Sequence, residues 1–309
     1  MAFEHRPVMG REVVEVFEPV PAGVVVDATV GGGGHARLLL GACPDLTLLG
    51  LDRDADAVAS AREGLSGFGD RVRVVYGGFE RLREIVVADG SEGKIVGILF
   101  DLGVSSPQLD RPERGFSYWA EAPLDMRMDG GQHLTAAQIV NRYDEDALAR
   151  LISENGEERY ARRIAAGIVA ARPLETTGQL VEVVKDAIPA PARRTGGHPA
   201  RRTFQALRIE VNRELPNLAE GLDESVQLVE PGGRIAVISY HSLEDRIVKR
   251  RFRAWAATHL PPVSRDLPAR AVRPLVRLLG RRSHRPDTAE VAANPRARSA
   301  RLRAVERLP

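Results

Sequence analysis

Apolar positions in this chain recur in two forms. Short runs of β-branched and aliphatic residues bounded by glycine, proline or a charge read as buried strands, and longer stretches with apolar residues three and four apart read as helices. The first run, Val24-Val25-Val26, ends in Asp27 and leads into four glycines, Gly31 to Gly34. Residues 36–41 then suit a helix, and Leu48-Leu49-Gly50-Leu51-Asp52 a second strand. Residues 71–76 and 95–100 predict a third and a fourth strand, and 234–239, after the turn Pro231-Gly232-Gly233, a fifth. Helical stretches over 54–65 and 79–87 lie between the early strands. Strands alternating with helices make a parallel sheet covered on both faces. The expected class is α/β, with a mostly parallel, doubly wound sheet.

The interval between the fourth and fifth strands is too long for a single crossover. It reads as helix and loop, with helices over 136–140, 144–153, 157–171 and 177–187. A helical insertion leaving the carboxyl edge of the sheet is expected. The expected organisation is therefore a sheet-forming first part (1–107), a helical insertion (108–205), and a second part that completes the sheet and carries a basic C-terminal segment (206–309). A helix over 203–229, broken near Pro216, would return the chain to the sheet, and 297–305 could add a terminal strand.

Composition sharpens this picture at two points. The chain of 309 residues is 43% hydrophobic, enough for a substantial core, and has no apolar run long enough to span a bilayer. With no basic-then-apolar leader pattern either, a soluble cytoplasmic protein without a membrane partner is expected. The net charge of +2 conceals a division: from Arg246 to Pro309 there are 17 Lys/Arg against 4 Asp/Glu. A basic C-terminal quarter on an acidic body suggests a polyanion partner, or else a solvated tail. Aromatic residues make up only 5%, so phosphate contact is a better use than base stacking. Cys43 is the single cysteine, which excludes an internal disulfide and a cysteine metal cluster.

The chemistry concentrates at strand ends. A strand, a glycine turn and a helix N-terminus bring backbone N–H groups close to a ligand. Asp52, at the tip of the second strand, stands where nucleotide-binding α/β folds grip a ribose, although it could equally cap the following helix. His35 could touch the ligand or simply pack, and Phe79, after Gly77-Gly78, could cover an adenine or belong to the core. Gly31-x-Gly33-x-x-Ala36 also satisfies the dinucleotide fingerprint, so a nicotinamide cofactor is an alternative. Two features favour S-adenosylmethionine. No second glycine-rich phosphate loop follows, and the fourth strand runs into Asp101-Leu102-Gly103-Val104-Ser105-Ser106-Pro107-Gln108, which suits an acceptor site beside a sulfonium. Asp101, Ser105 and Ser106 are the candidate catalytic residues there. His241, in Tyr240-His241-Ser242-Leu243-Glu244-Asp245-Arg246, is a second candidate. A hydrolytic triad around it would need a Gly-x-Ser-x-Gly elbow, which is missing, and Ser242-x-x-Asp245 also reads as a helix-capping box.

Together these stretches resemble the bacterial ribosomal small-subunit methyltransferase H family, also called MraW. The resemblance covers nearly the whole chain. It includes His5-x-Pro7-Val8-Met9, Asp27 to His35, Asp101 to Asp110, Arg114-Gly-Phe-Ser117 and Pro123 to Asp129. It continues through Gly156-Glu-Glu-Arg-Tyr160, Arg202 to Arg208, Ser239 to Arg246 and Asn294 to Ser299. Tyr240 stands where phenylalanine is common in that family. The resemblance implies a Rossmann-like, S-adenosylmethionine-dependent methyltransferase interrupted by a helical domain, which methylates N4 of a cytidine in the decoding region of 16S rRNA. It places cofactor contacts on Gly33, Gly34, His35, Asp52, Phe79, Asp101 and Gln108 and implies the small ribosomal subunit as partner; a homodimer is compatible with it. RNA would be held by Arg193, Arg194, Arg201 and Arg202, around a Gly-Gly-His-Pro turn, and by Arg281, Arg282 and Arg285 of the basic segment. No metal site is expected, and the single thiol, Cys43, should lie away from the cofactor.

Overall fold

A computed structural model describes residues 7–104, 108, 111–193, 197–260 and 270–309. The chain forms two compact units, one of residues 1–103 and 215–309 and the other of residues 104–214.

The first unit is built on a seven-stranded sheet. Its strands are β1 (Gly23–Asp27), β2 (Leu46–Asp52), β3 (Val72–Tyr76), β4 (Ile95–Asp101), β5 (Arg234–Ser239), β6 (Val276–Leu278) and β7 (Arg301–Arg307). They lie in the order β3-β2-β1-β4-β5-β7-β6. The first five run parallel, and β7 is antiparallel to both β5 and β6. Arg71, expected in β3, closes a 3₁₀ turn instead, and β4 reaches one residue further, to Asp101. The terminal strand starts at Arg301 because Asn294 caps a 3₁₀ turn over Pro295–Ser299.

Side chains alternate across the pleat, so each strand feeds two layers. Val24, Val26, Ile98, Phe100, Ile235 and Val237 enter one buried cluster, whereas Val25, Leu99, Ala236 and Ile238 enter another. Burial on both faces explains why these strands read as unbroken apolar runs. Helices α1 (Gly10–Phe17), α2 (Gly34–Ala42), α3 (Ala55–Gly64) and α4 (Leu82–Ala88) cover the sheet. Asp54, not Asp52, caps α3, accepting the N–H of Asp56 at 3.1 Å.

The second unit is helical: α5 (Ala136–Arg142), α6 (Glu145–Gly156), α7 (Ala161–Ala170), α8 (Thr177–Ala187), α9 (Ala190–Arg193) and α10 (Arg201–Asn212). Thr135 with Gln138 and Thr176 with Gln179 form capping boxes, each offsetting two orphan N–H groups at a helix start. Leu148, Ile152, Ile164, Ile168, Leu180 and Leu207 make up its core. The unit runs to residue 214 rather than 205, because the apolar face of α10 is part of that same core. Asn212 locks the end of α10 in place, accepting the Met128 N–H and donating to the Met126 carbonyl, both at 2.8 Å.

The chain then continues through α11 (Glu214–Leu228), α12 (Ser242–Trp255) and α13 (Thr288–Ala293). The break expected near Pro216 falls at Arg213, which adopts a left-handed conformation (φ 50°). Proline tolerates the first turn of a helix but its ring displaces the carbonyl four residues earlier, so the preceding helix must stop at Asn212. No helix among the described residues is long and apolar enough to cross a membrane.

Candidate active site

The site lies at the carboxyl ends of β1, β2 and β4, where neighbouring strands send their connections to opposite faces of the sheet. Gly31 (φ 51°) and Gly33 (φ 80°) take left-handed conformations, and Gly33 is the N-cap of α2. A Cβ on Gly31 or Gly32 would meet nothing closer than 3.9 Å, so this loop presents bare backbone to open space.

Asp52 braces the loop from the tip of β2. Its Oδ2 accepts the Gly31 N–H at 2.9 Å and its Oδ1 accepts the Asp54 N–H at 2.9 Å. Burial pushes its carboxyl up to about 6, against the pull of those two N–H donors. Each oxygen keeps a lone pair for a hydroxyl donor, as ribose binding requires.

Asp101, at the tip of β4, is held from three sides. Tyr240 donates its hydroxyl to Oδ1 at 2.7 Å, His35 Nδ1 lies 3.4 Å from Oδ2, and Thr29 Oγ1 accepts the Asp101 N–H at 2.7 Å. Asp27 stands behind this group, fully buried, with Oδ1 accepting the Thr29 N–H at 3.2 Å. Burial raises the Asp27 carboxyl to about 7, opposed by the nearby His35 and reinforced by Asp101 and Asp52. Burial and the Asp101 charge likewise push the Tyr240 phenol well above its ordinary range, so it stays a hydroxyl donor.

The expected site residues fall as follows. Gly33, Gly34, Asp52 and Asp101 gather at this sheet edge. His35 turns inward, with Nε2 2.9 Å from the Val8 carbonyl and Nδ1 toward Asp101, so it supports the carboxylate from within the protein. Phe79, half-buried after β3, sits edge-on to Phe100 with ring centroids 5.5 Å apart. Gln108 is buried in the second unit. Ser105, Ser106, Pro107 and Arg194 lie outside the described residues.

His241 is the N-cap of α12, which corrects the box expected from Ser242 and Asp245. Glu244 accepts the N–H groups of Tyr240 and His241, at 2.8 and 3.2 Å. Asp245 instead pairs with Arg303 at 2.7 Å and Arg301 at 3.0 Å. Arg193 and Arg202 donate to the carbonyls of Ile188 and Glu157, whereas Arg201, Arg281, Arg282 and Arg285 are exposed.

Comparison with known proteins decides between the cofactor readings. The family model described as the MraW methylase family matches residues 2–308. The chain belongs to the MraW methylase family. It is 52% identical over 312 residues to the ribosomal RNA small subunit methyltransferase H of Symbiobacterium thermophilum, covering 100% of this chain and 98% of that protein. The protein of the same name from Frankia alni is also 52% identical, covering 98% of this chain and 95% of its own. In Heliobacterium modesticaldum its namesake is 49% identical over the full length of both. Methylase membership removes the nicotinamide and hydrolytic readings. S-adenosylmethionine is the cofactor, and the open glycine loop with an acid at the tip of β2 fits its nucleoside. The groups that sequence reasoning left without a role are Tyr240, Thr29 and Asp27. Position gives a signal for two of them, since Asp27 ends a strand before the glycines and Tyr240 immediately follows β5.

Proposed function

We propose that this methylase transfers a methyl group from S-adenosylmethionine to N4 of a cytidine in the decoding region of 16S rRNA, acting on the small ribosomal subunit. The observation that carries the reading is the fixed Asp101 carboxylate at the tip of β4, beside the glycine loop.

An exocyclic cytosine amine is a poor nucleophile, because its lone pair is delocalised into the ring. A fixed acceptor for one of its N–H groups favours the pyramidal nitrogen needed for attack, and alignment supplies much of the remaining gain. Asp101 is that acceptor, and Tyr240 and His35 hold its two oxygens in place. Gly33, Gly34, Asp52 and Phe79 would hold the cofactor, with Gln108 as a further contact. When bound, S-adenosylmethionine supplies a methyl group on positively charged sulfur. Methylation of the amine by that group would leave the nitrogen with one proton to release. Asp101 would take that proton, with His241 as a second candidate and Ser105-Ser106 as further substrate contacts.

The cytosine must be single-stranded or flipped out of its stack to reach such a site. Arg193, Arg194, Arg201, Arg202, Arg281, Arg282 and Arg285 are the proposed backbone contacts, and the cytoplasm is the proposed compartment. The test is methyl transfer from labelled S-adenosylmethionine to small subunits isolated from a strain lacking this gene, followed by mass spectrometry of the digested 16S rRNA. N4-methylcytidine is expected. A methyl on carbon 5 or on a ribose hydroxyl would overturn the reading.

A further inference from the structure

Beyond β5, the first unit gathers a group of cations around one cleft, Arg281 and Arg282 of the proposed RNA contacts among them. Lys249 and Arg253 of α12 and Arg281, Arg282 and His284 of the turn after β6 line one cleft of about 450 Å³, counting the part open to solvent. Its floor includes Phe252, Leu278 and Leu279. Arg303 also reaches it but is committed to Asp245 at 2.7 Å.

The four long cations stand apart from their neighbours in one respect. Arg251 is paired with Asp223, Arg277 with Glu306, and both Arg301 and Arg303 with Asp245. Among the described residues, Lys249, Arg253, Arg281 and Arg282 have no carboxylate partner, and no acid lines the cleft. A concave wall of like charges over an apolar floor focuses a positive potential, which an anion entering the cleft relieves.

Strand register gives the cleft its meaning. Asp101 pairs with Ile238, Ile238 with Leu302, and Leu302 with His284. These four residues form one row across the carboxyl side of the sheet. Three strand spacings separate Asp101 from His284, roughly 14 Å along the hydrogen-bonding direction. Acceptor carboxylate and basic cleft are thus fixed to the same rigid sheet, a few nucleotides apart on a bound strand.

We propose that this cleft clamps backbone phosphates of the RNA strand whose base enters the site beside Asp101. Lys249 and Arg253 form one wall of the clamp, and Arg281 and Arg282 the other. The inference rests on the RNA-methylating reading above and adds to it a defined phosphate subsite on the methyltransferase unit.

The test is the variant Lys249→Gln/Arg253→Gln/Arg281→Gln/Arg282→Gln, compared with the parent for binding of a mixed-sequence single-stranded RNA across a salt series. Each phosphate contact on a single strand contributes about 0.7 to the slope of log affinity against log salt. A loss of two or three contacts lowers the slope by about 1.4–2.1 and weakens binding roughly tenfold or more at moderate salt. The KM for small subunits rises in parallel. A variant with the parent's melting temperature but an unchanged slope and KM overturns the clamp. Failure of the parent to methylate small subunits would instead sink the substrate reading, and the slope comparison would still judge the cleft.

Discussion

At the scale of single residues, the two strand-tip carboxylates divide the work. In the proposed reaction Asp52 meets the cofactor and Asp101 the acceptor, and each carboxylate is held by hydrogen bonds within the protein. Asp52→Ala removes charge-assisted acceptors for the ribose and is expected to weaken S-adenosylmethionine binding by roughly 1.5–3 kcal/mol, read by calorimetry on the folded variant. The parent should also lose affinity as pH falls through about 6, where burial has placed this carboxyl, because protonation takes away an acceptor. A drop of roughly tenfold between pH 7 and pH 5 is expected in the parent and should be absent in the variant. Unchanged affinity in Asp52→Ala would contradict the ribose role. Cys43 provides the opposite control. It follows α2 at the amino edge of the sheet, buried, with its thiol pushed up by burial, and its carbonyl accepts Arg71 at 2.9 Å. No thiolate there can reach a pyrimidine at the carboxyl edge, so Cys43→Ser should keep full turnover in a methyl-transfer assay. Loss of turnover in a well-folded variant would point to attack through a covalent thiol adduct and away from N4.

At the scale of elements, close packing on the sheet limits what each strand can carry. Gly97 of β4 has no room for a side chain, since a Cβ there would lie 2.7 Å from the Phe17 ring of α1 and 3.1 Å from Val25. Gly97→Ala is expected to cost about 1–3 kcal/mol, seen as a lower urea midpoint with an unchanged slope; an unshifted midpoint would show that α1 moves freely. Elements whose burial is simple were legible in the sequence. The spans 234–239 and 177–187 match β5 and α8, because an unbroken apolar run marks a central strand and a periodic face marks a packed helix. The glycine loop and both strand-tip acids were legible for a related reason, since strand, turn and helix follow each other locally. Contacts made by strand order were not. The Tyr240 hydroxyl reaches Asp101 across 139 residues of sequence, and only the parallel pairing of β4 with β5 brings them together. Nor could local pattern distinguish Asp54 from Asp52 as the cap of α3, or anticipate that Asp245 serves two arginines of β7 rather than its own helix.

At the scale of the molecule, stability and charge follow from what the sheet buries. Asp27 has its carboxyl raised from an ordinary 3.8 to about 7, so the folded state holds a proton that the unfolded chain releases. Its stabilising contribution is therefore complete below about pH 4 and lost as pH rises through about 7. The swing is on the order of 4 kcal/mol. Asp27→Asn should flatten the fall in melting temperature of the ligand-free protein between pH 4.5 and 7.5, and an unaltered slope would place the dependence elsewhere. The basic C-terminal quarter is structural as well as cationic, because β7 pairs with six residues of β5 and buries Leu302 and Val305. A chain stopped after Leu260 should expose β5 as an open apolar edge and aggregate rather than fold. Recovery of a monomeric, cooperatively melting fragment would contradict this.

The position of β7 also sets an order of events during synthesis. Residues 104–214 are contiguous and carry their own core, so everything that unit requires has been made once Glu214 is joined. The sheet of the other unit must wait for Arg307, its edge at β5 unpaired in the meantime. At roughly 5–20 residues per second, that wait lasts on the order of 5–20 s. A nascent chain therefore passes through a stage with a finished insert and an unfinished sheet, one in which both strand-tip acids exist but the inner strand of the proposed clamp does not.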